Sequence, residues 1–405
     1  MPPIAAPPVA LPPAAPPSTA LPPTALPPLR KGRAVRKLLP GLGVAALALV
    51  TITVPAHAEA AVLHAGSPDA VPGSYVVKVK DGAPDPSARF AGRVTRAYTG
   101  PFRGFAVSLT ERQARRLAAD PAVEYVEQDQ VVRPYATQVN PPWNLDRIDQ
   151  RALPLDRAYS YTSTGRGTRA YVIDTGLNTT HPELVGRGCG GWDVIDNDAV
   201  PQDDNGHGTA VAAVIASRTY GVAKEALVCG VRVLNGSGSG TTAGVIAGID
   251  WVARNHVKPA SANLSLGGGA STAVDDAVRR LIAAGVTASV TAGGSNTDAA
   301  NSSPARVREA ITSGASTATD TRASFSNYGS VVDVYAPGVN ITVPWGAGGT
   351  NTLSGTSFAT AHVTGVTLRF LQFNPTATPA QVHAAVVAEA TPLSWGRLLY
   401  WSPTR

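Results

Sequence analysis

Residues 353–365 read Leu353-Ser354-Gly355-Thr356-Ser357-Phe358-Ala359-Thr360-Ala361-His362-Val363-Thr364-Gly365, and an apolar run at Val366, Leu368, Phe370 and Leu371 follows. The pattern is a loop that becomes a helix at a serine. Gly355 permits close approach of backbone, Thr356 is placed to cap, and Ser357 falls in the first turn. There, unpaired N–H groups and the positive end of the helix dipole point outward. A hydroxyl at that place can attack a carbonyl while neighbouring N–H groups receive the charge that develops on oxygen. Taken alone, the stretch reads first as an ordinary capped helix.

Two further stretches decide between these readings. Tyr171-Val172-Ile173-Asp174-Thr175-Gly176 is a β-branched run ending in an acid and a glycine, and Asn205-Gly206-His207-Gly208-Thr209 sets a histidine between glycines ahead of an Ala/Val-rich segment. Along the chain the three give Asp, His, Ser. That order, with those neighbours, resembles the subtilisin-like serine proteases, and within them the proteinase K-like secreted branch. The resemblance covers roughly Ala136 to the last residue, including N-P-P-W-N-L-D-R-I-D-Q at 140–150, R-T-Y-G-V-A-K at 218–224, S-L-G-G-G at 265–269 and S-F-S-N-Y-G-S at 324–330. It implies roles: His207 takes the Ser357 proton and returns it to the leaving amine, and Asp174 fixes the imidazole tautomer and stabilises its charged form. The other histidines, among them His181, His256, His362 and His383, read as packing or loop residues.

Apolar strands at 171–173, 227–234, 262–266 and 287–291 alternate with helical patterns at 209–217, 242–255 and 271–284. In the last helix Val274, Ala277, Val278, Leu281 and Ile282 form one face and Asp275, Asp276, Arg279 and Arg280 the other. Such alternation predicts an α/β fold, a parallel sheet with helices on both faces, with ligands gathering beyond the carboxyl ends of strands where Asp174 sits. By resemblance, Ser265, Leu266, Gly267 and Gly268 bind an extended peptide main chain to main chain, although the same glycines suit a plain turn. The resemblance also implies a preference for apolar or aromatic residues before the scissile bond.

The pattern breaks in places. The family supplies a side-chain amide to the oxyanion hole from an A-A-G-N segment; here Thr291-Ala292-Gly293-Gly294-Ser295-Asn296 puts Gly294 at the asparagine's position. Glycine has no side-chain donor, so the backbone N–H of Ser357 remains, with Asn296, Ser295, Thr356 or a water as candidate substitutes, and a slow enzyme is expected. Ala210 and Ala213 replace a histidine and a glycine on the His207 helix, and Ala361 replaces a proline after the nucleophile. The chemistry needs no cofactor. Calcium is common in the family, and Asp333 matches one carboxylate ligand, with backbone oxygens near Arg308 and Ala310; as a bland reading it is a strand-edge acid.

Residues 1–58 read as a Pro/Ala-rich leader followed by a signal peptide: Arg30, Lys31, Arg33, Arg36 and Lys37 precede the apolar run Leu38 to Val54, and Ala56-His57-Ala58 supplies a cleavage site. The run is short for a stable membrane anchor. Met1 is the only methionine, and a tract upstream of a signal suggests initiation nearer Val35. Residues 59–135 read as a small α+β unit with strands at 75–80, 104–109 and 123–127 and a helix from Glu111 capped by Thr110 and Gln113. The resemblance makes this unit an inhibitor-type propeptide whose tail blocks the cleft, joined near Tyr135-Ala136 to a catalytic domain over 136–405.

Two cysteines are present. Cys189 falls in a glycine-rich loop and Cys229 in a strand-like run where it reads as an inert core residue; the sequence does not place them within bonding distance. The chain's net charge of +6 is concentrated ahead of residue 136, so the catalytic part carries no basic field for nucleic acid. The expected whole is a monomeric, secreted serine endopeptidase acting on proteins or peptides and inhibited by its own propeptide. Its rivals are a pseudoprotease that binds without turnover and an esterase or transferase using the same serine.

Overall fold

The computed structural model describes residues 59–67, 70–132 and 136–404. The expected leader, signal peptide and processing junction at Tyr135 lie outside the described residues.

Residues 70–130 form a four-stranded antiparallel sheet in the order Val94–Thr99, Arg103–Ser108, Ala70–Val79, Val123–Gln130. Tyr75, Val77, Phe105, Val107, Leu117 and Val126 fill its core. The helix Glu111–Ala118 starts as expected: Gln113 N donates to Thr110 Oγ1 at 3.3 Å and Thr110 N donates to Gln113 Oε1 at 2.9 Å, a reciprocal capping box. The edge strand Val94–Thr99 carries no alternating apolar signal, since Thr95, Arg96 and Ala97 are all exposed; pairing with its neighbour, not burial, creates it.

The larger part is built on a nine-stranded sheet. Its order is Thr391–Leu393, Gly396–Leu398, Val334–Pro337, Ile311–Ser316, Thr287–Thr291, Ala260–Leu264, Arg169–Asp174, Leu227–Arg232, Gly188–Asp193. Every neighbouring pair is parallel except the C-terminal hairpin. Alternation along one strand sorts the two faces. Tyr171 and Ile173 pack with Val245, Ile249, Ala277 and Leu281 of the helices Thr242–Asn255 and Thr272–Ala283. Ala170 and Val172 pack with Val211, Val214 and Leu368 of the helices His207–Ala216 and Thr356–Phe373. Burial on both faces is why these strands read as continuous apolar runs, and the expected α/β fold with a parallel sheet is the one found.

The cysteines correct the sequence reading. Gly188–Asp193 is not a loop but the edge strand, and Cys189 is disulfide-bonded to Cys229 with Cα atoms 4.8 Å apart. The strand pairs with Leu227–Arg232 through a register shift between Gly188 and Gly191. A side chain at Gly191 would run into the Gly230 carbonyl, so glycines that look like loop formers instead allow a bulged edge to close on its neighbour. The bridge spans 40 residues, and the loop-entropy relation puts its contribution at about 4 kcal/mol. Replacing both cysteines by Ala in a Ser357→Ala background is expected to lower unfolding free energy by that order in a denaturant titration; an unchanged midpoint would contradict it.

Candidate active site

Of the three strand and helix ends named from the sequence, those carrying Asp174 and His207 are in direct contact. Asp174 is the last residue of Arg169–Asp174, and His207 is the first of its helix, whose N-cap Gly206 has φ 105°. A Cβ at Gly206 would stand 3.0 Å from the Trp345 ring and one at Gly208 would be 2.3 Å from the Gly176 carbonyl oxygen. These glycines let the two turns approach until His207 Nδ1 lies 2.7 Å from Asp174 Oδ1. Thr175 N also donates to that oxygen at 2.7 Å, while Asp174 Oδ2 is buried without a hydrogen-bond partner among the described residues. Burial works to lower the His207 pKa, but the charge and hydrogen bond of Asp174, with the charge of Asp203, outweigh it and hold the ring above the ordinary histidine value.

Ser357 enters differently from the sequence expectation. The helix cap is Gly355, not Thr356, and no side chain caps the end. Thr356 is buried and its hydroxyl oxygen accepts from Thr291 Oγ1 at 2.7 Å. Ser357 is thus the second helical residue, its N–H among those with no intrahelical acceptor. Its Oγ donates to the Ser265 carbonyl at 3.2 Å, Ser265 Oγ donates to the Ser357 carbonyl at 2.9 Å, and the His207 ring lies 6.3 Å from that of Phe358. Imidazole and hydroxyl line adjoining lobes of a cleft.

That cleft has two lobes sharing the wall Ser265–Gly269. One, of about 570 Å³, contains His207, Thr175 and Asn205 with Leu234 and Val245; the other, of about 490 Å³, contains Ser357, Gly294 and Ser295. Gly268–Gly269 pairs antiparallel with Ser302–Ser303, so the glycines form a short ribbon along the cleft rather than a free turn.

Around Gly294 the backbone is held by Asn327. Its Nδ2 donates to the Ala292 carbonyl at 2.8 Å, and its Oδ1 accepts from Ser295 N and Thr297 N, each at 3.0 Å. Of the expected substitutes for the absent asparagine, Ser295 and Thr356 line the lobe that holds Ser357, whereas Asn296 is not among its lining residues and its Oδ1 accepts from Arg322 Nη1 at 2.9 Å. Asn327 and Asp203, which accepts bonds throughout the His207 turn, are site-organising residues that motif reading misses; the acid run Asp203-Asp204 just before Asn205-Gly206-His207 is the signal for the second.

Asp333 stands apart from the cleft's chemistry. Its Oδ2 accepts from Thr312 N at 2.8 Å and its Oδ1 is 3.3 Å from His383 Nε2. No group of three or more His, Cys, Asp or Glu side chains among the described residues is arranged to hold a metal.

Residues 165–399 match the Subtilase family and residues 85–135 the Peptidase inhibitor I9 family. This chain belongs to the subtilases. It is 48% identical over 382 residues to the "Extracellular serine proteinase" of Thermus sp. (strain Rt41A), covering 87% of this chain and 93% of that protein. It is 43% identical to "Proteinase R" of Parengyodontium album, covering 77% and 83%. A solved cold-adapted subtilisin-like serine proteinase is 52% identical, with TM-score 0.64 over 64% of this chain and 98% of that one. This subtilase is therefore a serine protease with a subtilisin-like fold and an I9-type N-terminal unit.

His362, five residues beyond Ser357, shows how the subtilase helix is fixed. It is fully buried, with Nδ1 2.7 Å from the Phe358 carbonyl and Nε2 2.8 Å from Asn144 Nδ2, contacts that the neutral Nδ1–H tautomer satisfies together. Burial pushes its pKa down to about 4 from 6.5. Its contribution to stability is therefore full above pH 6.5 and is lost as pH falls to about 4, by about 3 kcal/mol. Asp149 has the opposite sign: burial pushes it up to about 7, so its contribution is full below pH 3.8 and is lost as pH rises. In Ser357→Ala protein, denaturant titrations from pH 7.5 to 4 should show His362→Gln losing less stability on acidification than the parent, and Asp149→Asn losing more.

Proposed function

We propose that this subtilase is a secreted, monomeric endopeptidase that cleaves proteins or peptides through Asp174, His207 and Ser357, with turnover lowered by Gly294. The observation that carries the reading is the 2.7 Å bond from His207 Nδ1 to Asp174 Oδ1 on a cleft that also holds Ser357. With Nδ1 held by the carboxylate, Nε2 is the free base. It takes the proton from Ser357 Oγ as that oxygen bonds to the substrate carbonyl carbon, and it hands the proton to the amine as the C–N bond breaks. Water then repeats the two steps and releases the acid. The developing oxyanion meets the Ser357 N–H but no side-chain amide at residue 294.

The N-terminal unit acts as propeptide and inhibitor, and cleavage between Tyr135 and Ala136 releases the mature chain. Ala136–Val139 pairs antiparallel with Ala158–Tyr161 of the catalytic part, which supports a domain boundary at that point. A structural calcium at Asp333 would have to displace His383 from Oδ1; calcium added to chelator-treated protein would then raise the melting temperature of the parent more than that of Asp333→Asn.

The test is an active-site fluorophosphonate followed by peptide mapping, run beside mass spectrometry of the secreted chain. The phosphonyl group should map to Ser357, and a product beginning at Ala136 should appear in the parent but not in Ser357→Ala. Gly294 favours a second reading, a pseudoprotease; an unlabelled Ser357 in a folded, secreted parent would establish it. Turnover of an activated ester without cleavage of the matching amide would instead favour an esterase.

A further inference from the structure

Asp203 lies outside the proposed relay, yet more of the site hangs on its carboxylate than on any one of the three relay groups. Oδ1 accepts from Thr175 Oγ1 at 2.8 Å, Asn205 N at 3.0 Å and Gly206 N at 2.8 Å. Oδ2 accepts from Thr209 N at 2.9 Å and from Thr209 Oγ1 at 2.5 Å. Two of these donors belong to the turn leading into His207 and two to the first turn of its helix; the fifth belongs to the residue after Asp174. The links continue outward: Thr175 Oγ1 accepts from Gly208 N at 2.8 Å, and Thr209 Oγ1 accepts from Asn178 N at 2.9 Å.

We propose that Asp203 is a positioning residue for His207, its carboxylate tying the turn that presents the imidazole to the end of the strand that presents Asp174. The geometry leaves little else to do it. Gly206 and Gly208 flank His207 and provide no side chains, and Asn205 Oδ1 takes only the His207 N–H, at 3.1 Å, so the N–H groups of Asn205, Gly206 and Thr209 depend on Asp203. Helix N-termini favour an anion at this place. Asp203 meets that need, and because the same oxygen holds Thr175 Oγ1, a displacement of either turn is resisted by the other.

The negative charges facing His207 are Asp174 and Asp203. The adjacent Asp204 is drawn off to Arg232, whose Nη2 donates to it at 2.9 Å while Nη1 donates to Asp193 and Asp196 at the same distance. Asp203 is held below its ordinary value: burial opposes this, but the bonds from Gly206, Thr209 and Thr175 outweigh burial. It is therefore ionised wherever His207 titrates.

The proposal rests on the proposed relay, so its test is read in two ways. NMR titration of the His207 ring in full-length Ser357→Ala protein needs no turnover; Asp203→Asn should move its midpoint to lower pH. In a Gly294→Asn background, Asp203→Asn should lower kcat about tenfold to a hundredfold with KM little changed, as a small displacement of a reacting group does. The acidic limb of kcat/KM should shift down with the ring titration. Thr175→Val, which cuts the tie but keeps the charge, should lower kcat and leave the ring midpoint in place. A His207 midpoint unmoved by Asp203→Asn in folded protein overturns the proposal, as does an unchanged kcat. Absence of all hydrolysis in the Gly294→Asn parent would instead count against the relay itself.

Discussion

Asp174→Asn, made in a Gly294→Asn background so that the loss can be followed, is expected to lower kcat about ten-thousandfold, the magnitude for removing this charge from a Ser-His-Asp relay. The cause is readable in the bonds. Asp174 Oδ1 receives both His207 Nδ1 and Thr175 N, each at 2.7 Å, and Asp174 is fully buried. An amide that turns its NH2 toward His207 stabilises the tautomer whose proton sits on Nε2, and a protonated Nε2 cannot accept from Ser357. An amide that turns its oxygen inward keeps the tautomer but offers no charge to the imidazolium formed in the transition state. Either way the ground state is little altered, so KM should stay within about twofold while kcat falls. Single-turnover kinetics with an amide substrate would read this directly. A loss smaller than tenfold, in protein that melts normally, would remove Asp174 from the relay.

Much of this arrangement is legible before any coordinates, and what escapes has physical reasons. The strand over Thr287–Thr291 and the helix over Thr242–Asn255 fall where hydrophobic patterning places them, because the strand is buried throughout within the sheet and the helix packs an apolar face against it. Asp174, His207 and Ser357 announce themselves because the chemistry demands rigid, glycine-flanked turns at the ends of such elements. The disulfide is hidden because partners on adjacent strands carry no sequence record of their pairing; the register that sets Gly188 against Val228 is what brings Cys189 beside Cys229. Thr356 misleads for a related reason. A threonine before a helix is ordinarily a cap, but here its hydroxyl faces Thr291 on a neighbouring strand, a tertiary contact 65 residues away in sequence. Asn327 stands within the S-F-S-N-Y-G-S stretch at 324–330, but its role escapes, since it works through backbone atoms of a loop that is remote along the chain.

Gly294→Asn is expected to raise kcat about a hundredfold to a thousandfold, the reverse of the loss seen when such a donor is deleted from a subtilisin, on whose own example that magnitude rests. The gain requires that the new side chain fit, and the structure has room. A Cβ at Gly294 would meet only Phe325 Cδ2, at 3.9 Å, and residue 294 does not lie in the left-handed region that Gly293 occupies with φ 98°. Nor must the loop move: Asn327 already pins Ala292, Ser295 and Thr297 by hydrogen bonds to their backbone. The amide would project into the lobe that holds Ser357, where a donor meets the oxyanion only after the carbonyl has been attacked. It therefore stabilises the transition state more than the bound substrate, and the increase should appear in kcat with KM nearly constant. Gly294→Ala is the control, adding bulk without a donor, and should leave kcat near that of the parent. Equal rates for Gly294→Asn and Gly294→Ala would mean that the oxyanion is met by another donor and that Gly294 is not what limits this protease. A rise confined to Gly294→Asn would locate the missing stabilisation at that one side chain, with the Asp174–His207 pair and the Ser357 turn already assembled around it.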